Sequence, residues 1–508
     1  MKRLLFFLIS IIAYQTILAQ EPDDALRSAF FTQNGTARNM ATGGAMGSLG
    51  GDISAANVNP AGIGLYKTRE FVFTPSFNFN KNKANYRGTD TATKNNSFMT
   101  GPIGFVFGGV PRYAGSWASY AFAISYNQLA NYNNHIQYSG YNNYSSFTEK
   151  YLEELTRDRA DTNAALSNYI FGSSLAFRTF LIDTALVNGQ IGYKSLVPIS
   201  SGVNQTYNSD TKGGYNEVAL SIAGNKKDKL YMGASLTIPI ISYHRIFSYT
   251  EKDATNNPNN NFSYFTYNET FNSSGVGIGL KLGAIFKPTE SWRVGLAVHT
   301  PQLINFKDEI RSSIIANTEG YAGTKSENSD NLNNGNPGVR NYNLLTPWRA
   351  IISASYVLGE VEDIKSQKGF VTADIEYVDY KAAKYSAQDQ SNLGLVSYYD
   401  MVNTTIKSYY KGNINMRLGG ELKFDPFMVR LGAAFYGSPY ADNSLKANRT
   451  ILSGGLGYRN HGIFIDMAYA YTIAQDVNFP YRLNDVKNTF AAIKNNMGNL
   501  ILTFGVKF

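Results

Sequence analysis

The ionisable residues with the most regular spacing sit at every second position of alternating segments. Asp374 and Glu376 form one such pair, and Arg417, Glu421 and Lys423 form a longer run. Arg430, Asp466, Lys281, Arg293 and His299 hold equivalent places. Each lies on the small or polar face of its segment, opposite an apolar face. Charges confined in a narrow space are costly when alone. These are therefore expected to pair with one another and with whatever fills that space, or in a few cases to hold a carboxylate headgroup. Catalytic chemistry has no comparable pattern. The four histidines, His135, His244, His299 and His461, lack metal-ligand spacing, and there is no Gly-x-Ser-x-Gly elbow or phosphate-binding loop. Cysteine is absent, which removes disulfides, thiolate metal sites and thiol nucleophiles. The expectation is a protein that is not an enzyme and holds no cofactor and no metal.

The elements that position these charges are strands. From Glu70 onward, period-two alternation dominates. Tyr120, Phe122, Ile124 and Tyr126 alternate with Ala121, Ala123, Ser125 and Asn127. Ile414, Met416, Leu418 and Leu422 oppose Asn415, Arg417 and Glu421. A soluble sandwich rarely faces its apolar stripe with so many glycines, alanines and charges. A membrane barrel turns the apolar face to lipid and the small or polar face to its lumen.

About fourteen such segments occur, the first near 70–80, the second near 97–108, the fourth near 214–224 and the last near 498–508. Links after the even-numbered segments are short, Asp425-Pro426 and Asn460-His461 among them. Links after the odd ones are mostly longer. Barrels have short periplasmic turns and long outer loops, so both ends of the chain are expected in the periplasm.

Composition agrees. Among 508 residues there are 36 Tyr and 31 Phe, and only 17% are charged, against roughly 25% in average soluble domains. The net charge of +8 is a modest bias without a basic cluster, so no nucleic-acid partner is expected. Lys2-Arg3 followed by an apolar Leu4–Ala13 reads as a signal peptide, 1–19, with cleavage after Ala19. No later stretch is long and apolar enough for a membrane helix.

Two features remain. Thr36 to Tyr66 is rich in small residues, contains Gly43-Gly44 and Gly50-Gly51, and ends in Asn59-Pro60-Ala61-Gly62 before the first strand. Asn59-Pro60 makes a rigid corner and Gly62 permits the turn after it. The outer links also carry helical pattern. Ser146-Phe147-Thr148-Glu149 is a capping box leading into Lys150–Arg159. A second run covers Ala164–Phe171, and the loop Gln388–Lys411 is similar.

With Thr36-Ala37-Arg38, Met40, Gly43-Gly44-Ala45, Gly50-Gly51-Asp52 and Asn59-Pro60-Ala61-Gly62 in place, the chain resembles the FadL/TodX family of outer-membrane transporters, in the form seen in Bacteroidetes. The resemblance implies an all-β fold: a fourteen-stranded antiparallel transmembrane barrel, 67–508, occluded by an N-terminal hatch, 20–66. It also implies capture of hydrophobic molecules, such as long-chain fatty acids, by the outer loops and passage toward a lateral gap. Leu152, Leu155, Tyr169, Phe171, Leu393 and Tyr398 are the loop residues expected to line an apolar groove. Arg417, Arg430, Asp466 and Asp374 are the principal lumen charges. Expected partners are outer-membrane lipid, a hydrophobic small molecule and the barrel-assembly machinery, through the terminal Phe508, with the protein acting as a monomer. Two alternatives stand beside transport: a non-transporting barrel subunit of an outer-membrane assembly, and a haem-binding receptor using His135 beside Tyr132 and Tyr138.

Overall fold

The computed structural model describes residues 22–113, 115–187, 190–359, 367–484 and 486–508. The signal peptide expected at 1–19 lies outside them. Fourteen antiparallel strands close on themselves. The first is Arg69–Phe73 continued by Pro75–Tyr86, the second Thr89–Thr100 and Ile103–Gly109, the third Trp117–Asn131, and the fourth Val203–Lys226. Leu230–Asp253 and Tyr264–Phe286 are the fifth and sixth. The seventh is Trp292–His299 with Leu303–Asn317, the eighth Gly338–Leu345 with Arg349–Gly359, and the ninth Gln367–Asp379. Gly412–Phe424, Phe427–Tyr436, Arg449–Asn460, Ile463–Asn478 and Ala491–Lys507 complete the wall. Closure runs through the first and last strands, with Glu70 opposite Lys507 and Ser76 opposite Ile501.

The outward side chains are apolar. Val276, Ile278, Leu280 and Leu282, then Ile414, Met416 and Leu418, then Ile463, Ile465, Met467 and Tyr469 are all exposed. An apolar band continuous around the wall far exceeds what water tolerates on a soluble monomer. Lipid is the solvent it fits.

Several strands are longer than the alternation suggests. The polar stretch between 80 and 97 reads as an outer link, yet it forms a hairpin turned at Arg87-Gly88. The fourth strand starts at Val203, about a dozen residues before its apolar pattern begins. The physical reason is common to both. Crossing a bilayer takes about 9–11 tilted strand residues, and beyond the lipid a strand needs no apolar face.

These extensions support an outer head. The helix Glu149–Arg157 packs Tyr151 and Leu155 against Phe147, Tyr249 and Phe265. Only half of the expected capping box forms. Glu149 accepts from the Ser146 N–H at 2.8 Å, but the Ser146 hydroxyl, which donates to Glu251 at 2.6 Å, accepts from the Thr148 N–H at 3.1 Å and not from that of Glu149. Burial raises the pKa of Glu154, partly offset by the Ser173 hydroxyl donating to it at 2.5 Å. The helical run expected at Ala164–Phe171 is helical only in its first half, Thr162–Ser167; residues 168–172 turn, and the next helix, Ser173–Arg178, begins beyond the expected run. The hairpin Ile182–Val187 with Gln190–Ser195 carries no signal strong enough to be read from sequence. In the ninth-to-tenth link the helix Leu393–Tyr409 packs Tyr399, Val402 and Ile406 against Ala25, Ala29 and Phe30 of the lead-in.

Candidate functional site

The segment after the lead-in helix Pro22–Arg27 fills the barrel. Its short helix Ala37–Ala41 starts at Thr36, whose hydroxyl accepts from the Asn39 N–H at 3.2 Å. Ala55–Val58 and the 3-10 turn Pro60–Leu65 follow. Hydrogen bonds tie this segment to most of the wall. Ser119 donates to the Gly64 carbonyl at 2.8 Å, Ser235 to Ala56 at 2.9 Å, and Arg293 to Leu49 at 2.8 Å. The Asn57 amide donates to Glu217 at 2.7 Å, and the Gly47 N–H to Asp374 at 3.1 Å. Ser453 and Thr503 accept from the Gly43 and Ala37 N–H groups.

Asn59 is the hinge pin of the corner. Its amide nitrogen donates to Gly47 at 2.6 Å and to Ala284 of the wall at 3.2 Å, while its carbonyl oxygen accepts from the Ala61 N–H. Pro60 and Ala61 are buried against the fifth strand, and Gly62 packs on Gly50. Gly43 and Gly44 both take positive φ, 67° and 80°, which glycine adopts without steric cost.

The glycines of the wall now have a purpose. A Cβ on Gly432 would stand 2.1 Å from the Gly43 nitrogen, and one on Gly419 2.2 Å from the Thr42 oxygen. Overpacking of this kind costs about 1–3 kcal/mol. Gly432→Ala is therefore expected to lower the temperature at which the folded band is lost on SDS gels. Gly454→Ala, whose nearest contact is the flexible Leu431 side chain at 3.3 Å, serves as the tolerated control.

The lumen charges form two chains and a pair. Arg38 of the hatch meets Glu421 at 3.2 Å. Glu421 meets Arg430 at 2.6 Å, and Arg430 meets Asp466 at 2.6 Å. Arg349 meets Glu376 at 3.0 Å, Glu376 meets Arg417 at 2.6 Å, and Arg417 lies 3.7 Å from Asp374. Lys281 pairs with Glu217. Burial pushes the Arg38 guanidinium down, but Glu421, Asp52 and Asp466 more than reverse this and hold it above its ordinary range. His299 Nε2 bonds the Val58 carbonyl at 2.9 Å. Glu217 and Arg349 escape a reading of the strongest alternation, although extending it through Tyr215, Glu217 and Ala219 reaches Glu217.

The loop residues divide. Leu152, Leu155 and Tyr169 share the outer-head cluster, with Leu155 fully buried. Phe171 packs near Tyr243, Phe271 and Ile310. Tyr398 is buried against the lead-in cluster, and Leu393 is 78% exposed at the start of its helix. They do not meet in one groove. His135 is held by Asp210 at 2.6 Å, and its neighbour Tyr138 stacks on Tyr207 in the interior, 4.5 Å between ring centres. Odd and even residues of a strand face opposite sides, so His135 and Tyr138 do not converge on a haem.

A cavity of about 440 Å³ opens in the lumen beside the lead-in and Met40 of the hatch. Beside it, the wall ladder is broken. Among the described residues, Thr89–Thr100 pairs with the first strand alone. Among those residues, the third strand reaches the second only through Ile103–Gly109, and Asn134–Asn142 pairs only with the fourth strand. The break begins at Gly101-Pro102, where Pro102 has no N–H for a ladder bond. Side chains bridge it. Asn131 donates to Ser97 at 3.0 Å, Thr93 donates to the His135 carbonyl at 2.6 Å, and the Thr100 N–H donates to Gln128 at 3.1 Å. The lead-in supplies the remaining stitch. Asn34 donates to the Gln128 carbonyl at 2.8 Å and reaches Thr100 at 3.4 Å, and its own carbonyl accepts from Asn127 at 3.1 Å.

These features define a class: a plugged membrane barrel with a break in its wall beside a lumen cavity. Solved structures share the fold. A Pseudomonas aeruginosa FadL homologue aligns at a TM-score of 0.58 and 13% identity, over 94% of this chain and all of that one. The Pseudomonas putida toluene transporter TodX gives 0.52 at 12% identity, over 94% and 99% of the two chains. The Ralstonia pickettii toluene transporter TbuX gives 0.51 at 16%, over 95% and 99%. The chain has the FadL/TodX fold. No family model and no curated protein matches its sequence.

Proposed function

We propose that this protein is an outer-membrane channel through which small hydrophobic molecules enter passively, with long-chain fatty acids as one candidate class. Residues 20–66 act as its hatch and 67–508 as its wall, and the terminal Phe508 addresses the chain to the assembly machinery. The observation that carries this reading is the break between the second and third strands, which adjoins the cavity and is stitched by Asn34. A ligand collected at the outer head enters the cavity, displaces the lead-in and leaves sideways into lipid. The helix Leu393–Tyr409 touches both the outer surface and the lead-in, so it connects capture to release. Solved proteins of this fold named as toluene transporters support the same use.

The test is uptake of labelled toluene, dodecanol and laurate by cells lacking their own channel of this kind. Expression should accelerate at least one of them. Asn34→Leu removes the stitch, and because a net hydrogen bond contributes about 0.5–1.5 kcal/mol, uptake should rise roughly two- to tenfold. No acceleration of any probe would sink the proposal.

A further inference from the structure

The cavity beside the lead-in does not have the lining a plain hydrocarbon wants. One wall is apolar, with Leu26, Phe30, Met40 and Tyr243. The lining also carries a ladder of amides: Asn78, Asn80, Asn82, Asn495 and Asn499 on the first and last strands, with Asn134 beside them. Part of this ladder is bonded internally. Asn80 and Asn82 donate to Asn134 at 2.9 and 2.6 Å, and Asn495 donates to Asn82 at 2.9 Å.

Three carbonyl oxygens are left over. Those of Asn78, Asn80 and Asn499 have no hydrogen-bond partner, although the residues are only 3%, 8% and 6% exposed. Asn78 and Asn499 are direct cross-strand partners, so the two side chains belong to one patch of the lining. A buried acceptor without a donor is unfavourable, and a donor on a ligand in the cavity would relieve it if the amide turns toward it.

Charge points the same way. Two cations line the cavity, Arg27 and Arg449, and both are engaged. Arg27 pairs with Asp24 at 2.7 Å and lies 3.8 Å over the Tyr243 ring, and Arg449 lies 4.0 Å over Phe30. Asp476, also in the lining, supplies a second anion. Arg27 is already paired with Asp24, and a carboxylate, which only accepts, cannot satisfy the three amide oxygens.

We infer that the cavity takes an uncharged amphiphile whose hydroxyl or amide donors bond to Asn78, Asn80 and Asn499 while its hydrocarbon lies on the Leu26–Phe30 wall. This rests on the channel reading above and narrows its substrate class from hydrophobic molecules in general to neutral, donor-bearing ones.

The probes are three molecules with one chain length: 1-dodecanoylglycerol, dodecanoate and dodecane. Binding to the full-length protein in lipid nanodiscs is measured by native mass spectrometry at neutral pH. A site built to bond a donor discriminates strongly against an analogue without it. The glycerol ester is expected to bind about tenfold or more tightly than either other probe. Asn80→Leu and Asn499→Leu should each erode that preference several-fold and leave dodecane binding no weaker. Dodecanoate or dodecane binding as tightly as the ester to the unaltered protein overturns the inference and leaves the channel reading intact. Binding of none of the three overturns both. Because the probe series is run on the unaltered chain, misfolding of a variant does not blunt it.

Discussion

Removal of residues 36–55 is expected to leave an inserted barrel that leaks small solutes at least about tenfold faster than the intact protein. The wall does not need residues 36–55 to close, since every neighbouring pair of its strands shares ladder bonds, the second and third through Ile103–Gly109, and the Asn34 stitch lies outside the deletion. The hatch does occupy the space, with Ala37, Ala41, Ser48, Ile53 and Ala56 all fully buried. Without it, the inner face would consist of Gly419, Gly432, Ser353, Ser355 and paired charges, all of which water solvates well. Liposome swelling with a small sugar measures the leak, and the heat-modifiable band on SDS gels reports that the barrel has formed. A barrel that forms normally and leaks no faster would mean that the segment does not seal the lumen.

Arg430→Met is expected to destabilise the intact protein by about 3–5 kcal/mol. The guanidinium is completely buried and sits between Glu421 and Asp466 at 2.6 Å each. Its loss leaves Asp466 with no cation in contact and Glu421 with only the hatch residue Arg38 at 3.2 Å. Removing one partner of a buried pair is costly because the other charge stays desolvated. That reasoning carries an internal control. In the chain lacking residues 36–55, water reaches both carboxylates, and the same substitution should cost about 1 kcal/mol or less, as exposed pairs do. Urea unfolding from lipid vesicles, followed through Trp117, Trp292 and Trp348, gives both values. Equal costs in the two backgrounds would show that the hatch does not shield these charges.

Much of the architecture is legible in the chain. The alternation of Tyr120–Asn127 or Ile414–Phe424 survives as lipid-facing and lumen-facing sides because lipid permits only one assignment of the two faces. Where lipid ends, so does legibility. Asn80–Asn96 and Val203–Gly213 look like links because water accepts a strand of any composition. The loop residues show another limit. Leu152, Leu155 and Tyr398 have the apolar character of a binding groove, but packing the outer head demands the same character, and only contacts tell the two apart.

The sequence by itself determined the strands, their two faces, the side on which short turns gather, and the presence of a compact small-residue segment before the first strand. Those follow from local periodicity and from the solvent each face must meet. Only the tertiary structure decided what depends on partners hundreds of residues apart. It set Gly432 against Gly43, so the glycines of the wall become room for the hatch. It joined Arg38, Glu421, Arg430 and Asp466 into one chain of charge. It also placed Asn34, a residue without any motif, in the break at Gly101-Pro102. There a missing N–H leaves the ladder open and a side chain from the lumen closes it.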